Sequence, residues 1–137
     1  MKRKILLLAP VMLTGCIVDH FDRHLSVVNK SPVRIAVEAV NDTTKRTANN
    51  IAYYQSHAIA PNDTSFITRA GKNAWLEYIN EGKAKTLYVY FFDLDTLNKY
   101  DKGGADMSYL LGNKKYLKRF DYSLDELTKS NWEINYK

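Results

Sequence analysis

Thr86-Leu87-Tyr88-Val89-Tyr90-Phe91-Phe92 is the most apolar run of the 137-residue chain outside its first 15 residues. Alternation puts Leu87, Val89 and Phe91 on one face and Tyr88, Tyr90 and Phe92 on the other. Both faces are bulky, which predicts a central strand covered on both sides. The stretches around it are also short and strand-like. Val33 to Val40 alternates, with Val33, Ile35, Val37 and Ala39 opposed to Arg34 and Glu38. Leu25 to Asn29, Ile51 to Ile59, Thr64 to Thr68, Tyr116 to Tyr122 and Asn131 to Lys137 read as further strands. Pro61-Asn62-Asp63 is turn chemistry and predicts a hairpin-like pair of the strands flanking it.

Helical signals are few. Trp75, Leu76 and Ile79 cluster within Lys72 to Ile79, and Asp93 or Asp95 is placed to cap a short helix ending near Tyr100. Ser123-Leu124-Asp125-Glu126 has the spacing of a capping box. Met107 to Gly112 reads as a loop or single turn. The expected fold is therefore mostly β: an antiparallel β-sandwich, immunoglobulin-like or similar, with one to three short helices. Trp132, Ile134 and Tyr136 point inward in the last strand on this reading. Trp132→Ala would then cost on the order of 3–5 kcal/mol if the ring is buried.

At the other end, Met1-Lys2-Arg3-Lys4 is basic and Ile5 to Leu13 is apolar, the layout of a signal peptide. The apolar run is about half the roughly 20 residues of a membrane span. It ends in Leu13-Thr14-Gly15-Cys16, which holds the single cysteine. This order resembles the bacterial lipoprotein signal. The resemblance implies cleavage between Gly15 and Cys16 and a diacylglyceryl anchor on Cys16. The expected organisation is a signal peptide over 1–15, a lipidated tether over 16–24 and one domain over 25–137. The mature chain would hold 122 residues, with 17 Lys and Arg against 15 Asp and Glu, a formal charge of +2. No basic stripe marks a nucleic-acid partner. With no second cysteine there is no intrachain disulfide or thiolate metal site.

Further stretches resemble a family of small Bacteroidetes lipoproteins of uncharacterised function. They include Val27 to Ser31, Ile59 to Asp63, Trp75 to Ile79, Leu87 to Asp93, Leu117 to Leu127 and Asn131 to Tyr136. The resemblance implies an envelope location and a mostly β domain, and it implies no activity. It also implies an outer-membrane lipoprotein, on the surface or on the periplasmic face: Asp19 and Asp22 are similar to a surface-export signal, and the leaflet facing the periplasm is the alternative. Asp42-Thr43-Thr44 is similar to the short O-glycosylation motif of that phylum, which makes Thr43 the candidate acceptor.

No catalytic constellation emerges. His20 and His24 are four apart, but the zinc-protease pattern needs Glu after the first His, and Phe21 stands there. Asp93, Asp95, Asp101 and Asp106 lack the spacing of a calcium loop. No nucleophile elbow, phosphate loop or dinucleotide fingerprint occurs. Catalytic residues, metal and cofactor are accordingly expected to be none. Tyr53 and Tyr54 are candidates for stacking on a sugar. The reading is a monomeric, lipid-anchored, non-enzymatic interaction module using loops 41–50 and 101–113. Its partner would be a protein or a glycan. The alternatives are a carbohydrate-binding accessory and a small hydrolase with two acids in a cleft.

Overall fold

The computed structural model describes residues 20–44 and 49–137. Cys16, Gly15 and the rest of the leader lie outside the described residues. Within them, eight strands form three sheets, joined by five short helices.

The central strand is where its pattern predicts. β6 (Thr86–Asp93) lies between β3 (Ile35–Val40) and β7 (Lys118–Ser123), antiparallel to both. The second sheet has the order β4-β2-β8 from β2 (Ser26–Asn29), β4 (Thr64–Phe66) and β8 (Glu133–Tyr136). Leu87, Val89 and Phe91 share one apolar core with Val27 of β2 and Ile134 of β8. Tyr90 and Phe92 join a second core with Ile51, Leu97, Met107 and Leu110. That second core is roofed by α1 (Ile51–Ser56), α3 (Leu94–Lys102) and α4 (Met107–Gly112).

A buried polar knot joins the two sheets at one end. Asn29 is fully buried, and its amide nitrogen donates to the carbonyls of Val33, Ile59 and Ala60 at 2.7, 3.1 and 3.1 Å. Its Oδ1 accepts from the Ser31 amide and hydroxyl. A buried amide is tolerable only when so satisfied. Here it fixes the β2–β3 turn against residues 59–60.

Several expectations are corrected. Ile51 to Ile59 is not a strand: it opens with α1, capped by Asn50, whose Oδ1 accepts from the Tyr53 amide at 3.0 Å. Ile51 and Tyr54, three apart, are the residues it buries. No hairpin therefore forms across Pro61, and β4 pairs with β2 instead. Met107 to Gly112 is a true helix, because Asp106 caps it through the Tyr109 amide. Five helices rather than one to three make the fold a mixed α/β arrangement of open sheets. Nor is the strand pairing wholly antiparallel, since β2 and β8 run parallel with Val27 opposite Ile134. The stretch read as a tether also contributes to the fold: β1 (Phe21–Asp22) pairs with β5 (Arg69–Ala70). Trp132 is half-buried in left-handed backbone at φ 60°. The condition attached to its large truncation cost is not met.

Candidate binding clefts

The best-built polar site grows from β1. Asp22 is 5% exposed, and its carboxylate accepts from the Trp75 amide at 2.9 Å and the His24 amide at 3.0 Å. His24 Nδ1 lies 2.6 Å from Asp22 Oδ1. Burial pushes the Asp22 carboxyl up, but the Trp75 and His24 hydrogen bonds outweigh it and hold it below the usual carboxylate range. The Trp75 amide belongs to α2 (Ala74–Glu81), so Asp22 ties the start of the fold to the first turn of that helix.

Two adjoining clefts open beside this pair. The larger, of about 380 Å³, is lined by His20 to His24 and by Gly71, Lys72 and Asn73. The smaller, of about 190 Å³, adds Leu76 and Trp132. The walls are conformationally unusual. Asn73 (φ 56°) and Trp132 (φ 60°) in the lining occupy the left-handed region, as does Asn131 (φ 53°), which precedes Trp132. For a bulky ring that is a rare state, of the kind found where structure around a site over-determines the backbone. The Trp132 amide donates to Leu127 O at 2.7 Å, which holds the turn closed after α5 (Leu124–Lys129). His24 and Trp132 rings are 6.1 Å apart across the smaller cleft.

Chemically, the Asp22–His24 pair orients an imidazole. Among the described residues, the lining of both clefts brings it no hydroxyl or thiol to activate. Among the described residues no three His, Cys, Asp or Glu side chains gather to hold a metal ion. His20 and His24, read as solvated tether residues, are exposed, but His24 is tied to the buried Asp22.

A second groove forms where the two predicted interaction loops meet. Thr43 and Thr44 face Asp106, Ser108, Tyr109, Leu111 and Gly112 across about 450 Å³. The same threonines border a smaller hollow with Asn41, Lys83 and Tyr88. Thr43 is exposed, as its reading as a modification acceptor requires. Tyr109, which the sequence did not single out, is 46% exposed on this groove. The signal for it was the Asp106 cap, which turns Met107 and Leu110 inward and leaves Tyr109 outward.

The two stacking candidates separate. Tyr53 is exposed, but the His57 ring already stacks on it at 4.2 Å. Tyr54 is a correction: it is buried in the second core, with its hydroxyl donating to Glu38. It is unavailable to a sugar. Glu38 is itself largely enclosed. Burial raises its carboxyl to about 8, while the charge of Arg69 pulls it down.

No protein-family model matches the chain, and neither a curated protein nor a solved structure matches it.

Proposed function

We propose that the chain is a lipid-anchored protein of the cell envelope that acts as a non-enzymatic interaction module. The observation that carries this reading is the leader, in which a basic start, an apolar run and Leu13-Thr14-Gly15-Cys16 follow in order. Two or more acyl chains give stable anchoring where one does not. No helix among the described residues is long and apolar enough to cross a membrane. We read the two three-stranded sheets that share a core as an open form of sandwich, with the helical roof as its addition. Intact mass of the protein from a membrane fraction tests the anchor. We expect a chain beginning at a diacylglyceryl Cys16, and release to the soluble fraction for Cys16→Ser. A soluble, unmodified wild-type chain overturns the reading.

The groove between Thr43–Thr44 and Asp106–Gly112 favours a saccharide as the partner. It combines hydroxyl and carboxylate groups with an exposed Tyr109 ring, the mixture that polar, ring-shaped ligands use. Binding on a glycan array that falls about tenfold in Tyr109→Ala is the expected result. Flat binding by the wild type removes the saccharide.

A further inference from the structure

We infer that the face around the β1 clefts docks on the membrane that carries the anchor, so that the domain is held in one orientation. The inference rests on lipidation of Cys16. Covalent geometry then sets a short leash: four residue steps separate Cys16 from His20, and a fully extended chain covers about 14 Å in that distance. The point of attachment is rigid. The Gly71 amide donates to His20 O at 2.6 Å, Phe21–Asp22 pairs with Arg69–Ala70, and Asp22 is clamped by Trp75 and His24. The domain therefore cannot swing its N-terminal face away from the bilayer by more than the leash allows.

The chemistry of that face suits a lipid surface. Phe21 is 53% and Leu76 39% exposed, and Trp132 lines the smaller cleft with Leu76, half-buried against the core. Arg23 and Lys72 are exposed beside them, as are His20 and His24. Among the described residues, the one carboxylate lining either cleft is Asp22, which is turned inward and paired. Apolar and aromatic side chains flanked by cations make up an interfacial surface, here with Glu77 and Glu133 exposed next in sequence to Leu76 and Trp132. Each Lys or Arg near an anionic leaflet favours docking by roughly 1 kcal/mol, about fivefold. Arg23 and Lys72 together would shift the docked ratio on the order of 25-fold. Phe21 and Leu76 would sit among the headgroups, with the two cations on lipid phosphates.

The test uses the lipidated full-length mature protein in vesicles carrying a headgroup-quenching phospholipid, with tryptophan emission as the readout. Trp132 lies on the proposed contact and Trp75 directly behind it. We expect strong quenching in phosphatidylglycerol–phosphatidylethanolamine vesicles. Quenching should drop several-fold in phosphatidylcholine vesicles, and again in Arg23→Glu/Lys72→Glu on the anionic ones. Phe21→Ser, an exposed position, should weaken it in both lipids. Emission that is equally quenched in every case, or unquenched throughout, with the lipid confirmed on Cys16 by mass, overturns docking and leaves the anchor standing. An unmodified Cys16 overturns both.

Discussion

The two faces of β6 are built on different principles. Leu87, Val89 and Phe91 meet the strands of the second sheet across a dry layer that Trp75 and Ile79 of α2 and Leu127 of α5 complete, and there Phe91 stacks on Tyr136 at 4.6 Å and meets Phe120 edge-on at 5.6 Å. Tyr88, Tyr90 and Phe92 face helices of six to nine residues, and polar groups enter their layer. Glu38 lies opposite Tyr90 and accepts from Tyr54, while Arg119 approaches the Tyr88 and Tyr90 rings at 5.3 and 5.9 Å. Strand-on-strand packing needs only apolar shape. Short helices bring little stability of their own, and hydrogen bonds help decide where they sit.

The largest expected effect breaks the dry face. Phe91→Ala should cost about 5 kcal/mol, the top of the usual range, because its stacked partners sit on strands that cannot collapse into the hole. Leu97→Ala on the helical face should cost closer to about 2 kcal/mol, since a short helix can settle inward. Denaturant midpoints of the two variants measure the difference, and equal costs would erase the contrast.

Next in size is a pH effect confined to the helical face. Folded Glu38 keeps its proton up to about pH 8, whereas the ordinary value is 4.5. The folded state thus binds more protons between those values, and stability falls as pH rises through that window. The loss should reach roughly 4 kcal/mol by pH 8, at about 1.4 kcal/mol per pH unit where the slope is full. Glu38→Gln should flatten the profile of thermal midpoint against pH. A wild-type profile already flat from pH 5 to 8 would show that the carboxyl is not held neutral.

The smallest effect lies outside both layers. Ser123 and Glu126 cap α5 reciprocally, and Ser123→Ala should cost about 1 kcal/mol at any pH near neutrality. A loss comparable to Leu97→Ala would mean that α5 supports the core more than its single buried Leu127 indicates.

Legibility in the sequence followed the range of the interactions. β6, the Asp93 cap of α3 and the Ser123 capping box were readable, because alternation and caps are properties of neighbouring residues. α1 was not, since adjacent Tyr53 and Tyr54 carry strand propensity that the Asn50 cap and the burial of Ile51 and Tyr54 override. The convergence of Thr43 with Tyr109 was only half readable. Both stretches were read as interaction loops, and nothing local said that they would share a groove. The Asp22–His24 site was hidden in what looked like a tether, because its partner amide belongs to Trp75, 53 residues away.

By itself, then, the sequence determined the two-faced central strand and the Asp93 and Ser123 helix caps, and it alone carries the proposal of a leader ending at Cys16. Each of these depends on spacing along a few residues of chain. Tertiary structure alone decided that β2 pairs parallel with β8, that α1 covers the tyrosine face, and that Asp22 is buried with its imidazole at a cleft. Those outcomes depend on which distant surfaces exclude water from one another and on where buried polar groups find partners.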